Sequence, residues 1–325
     1  MIRRAFLRGT AAALLGVLPQ ARAQPKSGPV RIGVLLQTPL SNSPTLVGLE
    51  GGLRDLGHAV GTAVVLEPRS ANGDPAQLPP LAAELAARNV GVIVAVGPAA
   101  VAAARAATQS IPIVAIDLET NPVTSGWAKS LARPGGNLTG LFLDHPAIAG
   151  KWLDLLGQVV PRLRRVSVIR DASTGTTQVD ATREAAKSLG LELQLVTARD
   201  GEDLSRALES IRTDCQALLM LSSPMIFAKS AVIAAYTSRR RLPAISPFRP
   251  FPVAGGLMSY GPDLPYFFRR SALYVDKLLK GAPVADLPIE QPTNFFLVVN
   301  ATAASALGLA IPQSVLLRAD EVLRP

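Results

Sequence analysis

The residues able to do chemistry are few and sit where strand patterns end. Asp117 closes the apolar run Ile111-Pro-Ile-Val-Ala-Ile116. A carboxyl there reads as a ligand contact or as the brace of a turn, because no paired acid or base accompanies it for proton transfer. Hydroxyls gather in other post-strand segments: Thr38, Ser41 and Ser43, then Ser173 and Thr174, then Ser222 and Ser223. Each either touches a ligand or caps the helix that follows. Gly97-Pro98-Ala99 turns a strand directly into a helix, leaving backbone N–H groups that favour an anionic group such as a carboxylate. Tyr260 follows Gly255-Gly-Leu-Met-Ser259, where an aromatic ring would line a cleft or pack in the core.

The absences narrow the function. His58 and His145 are the only histidines and stand apart, the first beside a helix-ending glycine and the second at the head of a helix, with no partners at metal spacing. No G-x-S-x-G elbow, phosphate-binding loop or G-x-G-x-x-G follows a strand. These gaps point away from an enzyme and imply neither cofactor nor metal. The single cysteine, Cys215, lies in an apolar strand pattern, reads as a buried small residue and has no disulfide partner.

The elements that must position these groups alternate. Strand patterns at Val30–Leu36, Ala63–Glu67, Gly91–Val96 and Ile111–Ile116 are interleaved with helical spacings at Leu46–Leu56, Ala76–Arg88 and Ala99–Ala107. The alternation restarts with a helix at Ala147–Val160 and strands at Arg165–Ile169, Leu191–Val196, Ala217–Leu221 and Pro243–Ile245. Between them lie helices at Gln178–Leu189, Glu202–Ile211 and Ile226–Arg239. Two tandem α/β units follow, each a parallel sheet with helices on both faces. The Gly/Pro-rich segment Arg133–Gly140 divides them, and short connections predict hinge motion around a cleft. Such sheets bind ligands outside the carboxyl ends of their strands, which here means a small polar molecule held by hydroxyls, amides and backbone.

The first 23 residues read as an export signal. Arg3, Arg4 and Arg8 precede the short apolar core Thr10–Leu18, and Ala21-Arg-Ala23 is a small-x-small cleavage site. Arg3–Arg8 also approaches a twin-arginine signal. No cysteine follows to carry a lipid, and the apolar run falls short of the ~20 residues that span a bilayer. A soluble, monomeric periplasmic protein is expected. The signal holds four of the 33 basic residues and no acid, which leaves 29 basic against 24 acidic in the remainder. Arg239-Arg-Arg241 is the only run of three adjacent basic residues and ends a helix pattern, so nucleic acid is not an expected partner.

Several longer segments resemble one family. Ser130-Leu-Ala-Arg-Pro-Gly-Gly-Asn-Leu-Thr-Gly140, Gly255-Gly-Leu-Met-Ser-Tyr-Gly261, Tyr274–Gly281 with Asp286–Thr293, and Ala306–Val322 are similar, in this order, to ABC transporter substrate-binding proteins of the tryptophan/tyrosine-binding-like group. The resemblance implies a periplasmic-binding-protein type I fold: two doubly wound parallel-sheet lobes joined by a three-crossing hinge. It places the crossings near Asn137–Phe142, Leu257–Gly261 and Pro292–Val299. The first lobe would comprise 29–140 plus 260–290, including a helix near Arg269–Leu279, and the second 141–259 plus 291–325. It implies capture of an amino acid or related small molecule for the membrane subunits of an ABC permease; a receptor feeding a membrane sensor would use the same fold. The family often has an acid where this chain has Ser222-Ser223, and the first loop lacks the His-Pro of many relatives.

Overall fold

The computed structural model describes residues 28–324 apart from positions 42 and 144, so the export signal lies outside the described residues. The chain runs β1 (Val30–Leu36), α1 (Pro44–Asp55), β2 (Val64–Ser70), α2 (Leu78–Ala87), β3 (Val92–Val96), α3 (Pro98–Ala107), β4 (Ile113–Asp117) and β5 (Leu138–Phe142). These strands form a parallel sheet in the order β2-β1-β3-β4-β5. β3 and β4 are continuous apolar runs because helices cover both faces.

The second half runs α4 (His145–Val159), β6 (Arg165–Asp171), α5 (Thr177–Leu189), β7 (Glu192–Ala198), α6 (Leu204–Glu209), β8 (Ala217–Met220), α7 (Pro224–Ala228), α8 (Ser230–Arg239), β9 (Ala244–Ser246), α9 (Pro250–Val253) and β10 (Met258–Pro262). It ends with α10 (Leu264–Leu279), β11 (Phe295–Asn300), α11 (Ala301–Ala306), α12 (Gln313–Leu316) and β12 (Glu321–Leu323). The second sheet has the order β12-β11-β10-β9-β8-β6-β7, with β11 antiparallel to β10 and the other pairs parallel.

The chain passes between the sheets after β5, between β10 and α10, and ahead of β11. β5 stays in the first sheet through Phe142, and β10 stays in the second through Pro262. Between the last two passages, α10 packs on α1. Gly48 and Gly52 make that contact close: a Cβ on Gly52 would stand 2.4 Å from the Arg269 carbonyl oxygen. Residues 284–290 then lie along β5, where Glu290 N–H donates to Gly140 O at 2.9 Å and Thr139 Oγ1 donates to Leu287 O at 2.8 Å.

The single helix expected over Ile226–Arg239 is two. α7 stops at Ala228 and α8 starts at Ser230, with Lys229 at φ −99° and ψ 13° between them. Cys215 sits just before β8 and is half-buried, its Sγ 3.0 Å from Ala217 O, because the apolar strand begins only at Ala217. His58 joins the ends of two helices of the first lobe, with Nε2 2.9 Å from Asp276 Oδ1 on α10.

Candidate functional site

The carboxyl ends of β1, β3 and β4 face the segments that follow β8 and β9 across a cleft. Its cavity volume is about 60 Å³, and the cleft opens to solvent. The first lobe contributes Thr38 after β1, Thr45 at the start of α1, Gly97 after β3 and Glu119 after β4. The second contributes Ser223, Pro224, Phe227 and Phe248. Leu264 and Phe268 on α10 close one side, and Pro44, Val96, Ile116 and Leu118 complete the lining. The lining is mostly apolar, against the polar one expected from loop composition, because α7 and α10 turn aromatic and aliphatic side chains inward. Phe227 and Phe248 meet edge to face, with centroids 5.3 Å apart, a favoured geometry for aromatic pairs.

Among the described residues, Ser222 and Gly97 each meet the opposite lobe across this cleft. Ser222 Oγ donates to Glu119 Oε1 at 2.5 Å, with both residues buried. Gly97, at φ +86°, comes so near Pro224 that a Cβ on it would lie 2.9 Å from the proline Cγ. Ser222 is itself held in place. Gln178 on α5 donates from Nε2 to Ser222 O at 2.8 Å and accepts the Ser222 N–H at 2.7 Å.

Two carboxyls lie two residues apart in the first-lobe wall. Asp117 Oδ1 accepts the N–H groups of Glu119 at 2.8 Å and Thr120 at 3.0 Å. Burial pushes the Asp117 carboxyl above its ordinary value despite these donors. Glu119 is pushed well above its own, first by burial and then by the Asp117 charge. Desolvation disfavours an ionised carboxylate, and a neighbouring negative charge adds to that effect.

The hydroxyls and glycine turn singled out from sequence divide between the cleft and local bracing. Thr38, Gly97, Ser223 and the Ser222–Glu119 bridge come together at the cleft. Ser223 also caps α7, accepting Ile226 N–H at 2.9 Å. Pro98 and Ala99 begin α3 behind Gly97, and that helix start has no side-chain cap. Ser43 caps α1 through Leu46 N–H. Ser41 is exposed on the loop before it. Ser173 and Thr174 brace their own turn: Ser173 Oγ donates to Asp171 Oδ1 at 2.7 Å, and Thr174 Oγ1 donates to Asp171 O at 2.9 Å. Asp117 stands behind the lining as a fully buried turn brace.

Tyr260 stacks on Phe295 at 5.6 Å, while its carbonyl accepts the Trp152 indole N–H at 2.6 Å. Sequence reading missed Glu119, Gln178 and the aromatic lining. The one available signal was a second acid two residues after Asp117. Among the described residues, no cluster of three or more His, Cys, Asp or Glu is arranged to hold a metal, and no helix is long and apolar enough to cross a membrane.

Two α/β lobes with a seam-lined cleft at their strand ends define a bilobal binding protein. The chain belongs to the ABC transporter substrate binding protein family, whose model matches residues 30–323. It is 24% identical over 264 residues to the tyrosine-binding protein of Clostridioides difficile strain R20291, covering 81% of this chain and 76% of that one. Its fold is similar to the ABC domain from Streptococcus pneumonia in complex with L-Trp: TM-score 0.84, 22% identity, 91% of this chain and all of that one. A conserved domain protein from Vibrio cholerae matches with TM-score 0.84 and 24% identity, over 90% of this chain and 99% of that one.

Proposed function

We propose that this chain is the exported solute-binding component of an ABC transporter, and that it captures one small molecule in the cleft and hands it to the permease membrane subunits. The observation that carries the reading is the pair of cross-lobe contacts, Ser222 to Glu119 and Gly97 to Pro224, over an apolar cleft at the strand ends. Groups that touch only when the lobes are together let a solute shift an open–closed equilibrium by the contacts it makes in the closed form. The passages after β5, after β10 and before β11 serve as the hinge. The export signal in residues 1–23 takes the protein across the membrane, where it works without lipid anchor or catalysis.

The solute has an apolar, ring-sized body that fits among Phe227, Phe248 and Phe268, with a polar end that meets Thr38, Thr45 and Ser223. The uncapped start of α3 favours an anionic end such as a carboxylate. The named relatives bind tyrosine and L-tryptophan, so aromatic amino acids and their derivatives are the solutes to try first.

Solution scattering with and without L-tryptophan or L-tyrosine tests this reading, beside mass spectrometry of small molecules released from gently purified protein. Compaction on addition of a bound solute is expected. Tight binding with unchanged dimensions would overturn capture by lobe closure.

A further inference from the structure

We propose that the closed cleft keeps a proton on the Asp117–Glu119 pair, so that Glu119 meets the solute as a neutral acid and the site rejects a solute that brings a cation to that point. The inference rests on the reading of this cleft as the solute site.

One carboxyl oxygen in this wall is unpaired. Asp117 is completely buried, and its Oδ2 has no hydrogen-bond partner among the described residues, while Oδ1 accepts two backbone N–H groups. Buried acceptors are nearly always satisfied. The neighbouring acid is Glu119, whose side chain pairs with Asp117, and a proton held between the two would give the orphaned oxygen the donor it lacks.

The surroundings of Glu119 hold no cation among the described lining residues. Its Oε2 accepts Leu118 N–H at 3.2 Å and its Oε1 meets Ser222 Oγ at 2.5 Å. Asp117 is the charged group beside it. The elements packed around it present neutral or apolar groups: Thr38 after β1, Thr45 on α1, Ser222 and Ser223 before α7, Phe227 on α7, and Phe268 on α10. No Lys, Arg or His lines the cleft among the described residues. Two ionised carboxylates side by side and buried, with no cation to offset them, are strongly disfavoured, and one keeps its proton.

Closure and protonation are therefore linked. With the lobes apart, Glu119 stands in water and is free to ionise. Bringing Ser222 onto it removes that water, and the carboxylate takes up a proton from solvent. The linkage has a definite sign. A carboxyl whose pKa is raised in the closed form favours closure at low pH, and that contribution fades as pH rises through the raised value. Gln178 makes the seam hold, because it fixes both the N–H and the carbonyl of Ser222. A solute ammonium set against Glu119 would have to displace the proton.

Infrared difference spectra between the wild-type protein and Glu119→Gln, taken at neutral pH, read the proton directly. The wild type is expected to show the carbonyl band of a protonated carboxylic acid, which the variant lacks. Asp117→Asn removes the neighbouring charge, and the band should then disappear at lower pH than in the wild type. Binding of L-tryptophan, indole-3-propionate and tryptamine to the wild type reads the selectivity. The amine-free acid is expected to bind at least as tightly as tryptophan, and tryptamine at least tenfold more weakly. Absence of the acid band, or tryptamine as the tightest of the three, would overturn the proposal. If none of the three binds, the choice of solute class fails, and the infrared band still decides the protonation.

Discussion

Ser222 Oγ and Glu119 Oε1 meet at 2.5 Å although 103 residues separate them and each belongs to a different lobe. The bond joins the end of β8 to the end of β4. Ser222→Ala removes the only hydroxyl in that contact and leaves the Gln178 clamp on its backbone intact. The variant should lose about 1 kcal/mol of stability, the ordinary net worth of one hydrogen bond. Its radius of gyration should rise as the closed form loses weight. Urea midpoints and scattering curves matching the wild type would show that the bond contributes nothing to closure.

Gly97 and Pro224 make the second cross-lobe contact. Gly97→Ala puts a Cβ 2.9 Å from Pro224 Cγ, on a residue at φ +86° that only glycine adopts freely. Weaker solute binding and a more open average shape are expected, beside a strain cost of about 1–3 kcal/mol. Adding Pro224→Ala removes the obstructing Cγ, so the double variant should close again while the strain cost remains. Equal opening in the single and double variants would exclude the wedge explanation.

Phe227 lines the cleft and packs edge to face on Phe248. Phe227→Ala should weaken binding of a ring-bearing solute by about tenfold or more, which corresponds to roughly 1.4 kcal/mol. Titration calorimetry with L-tryptophan measures it. A variant that binds as wild type does would place the ring elsewhere.

Asp276 ties α10 to the end of α1 and gives stability a pH signature. Burial alone would raise its carboxyl. Bonds from Lys280 and His58 outweigh that and hold it below the ordinary value. A lowered folded-state value means a contribution present above the unfolded carboxylate pKa of about 3.9 and lost as pH falls through the lower one. Asp276→Asn should therefore lower thermal stability at neutral pH and flatten its fall on the acid side of pH 4. Parallel curves for variant and wild type would assign that acid sensitivity to other carboxylates.

Much of the architecture was legible because parallel strands covered on both faces must be apolar throughout, as Val92–Val96 and Ile113–Ile116 are. The break at Lys229 was hidden, since apolar spacing continues across it. The antiparallel direction of β11 leaves no mark on composition. At the site, strand ends pointed to the loops that border the cleft, but hydroxyl content did not separate Ser223, which reaches the cleft, from Ser173, whose hydroxyl is spent on Asp171. Glu119 acquires its role only through Ser222, a long-range pairing that no local pattern announces. Nothing in the helical spacing of Leu46–Leu56 announces that Gly48 and Gly52 form the seat for α10.

That seat has a consequence for synthesis. A ribosome completes β6 through β10 before it makes α10, and only then do residues 284–290 arrive to lie along β5. Until then one flank of the first sheet has no cover, and Gly48 and Gly52 face no partner. The earliest strands to emerge are thus among the last to be sealed, and the first lobe is not a unit that truncation could isolate. A chain cut after Pro262 would hold the whole five-stranded sheet and still lack the helix that makes it a domain.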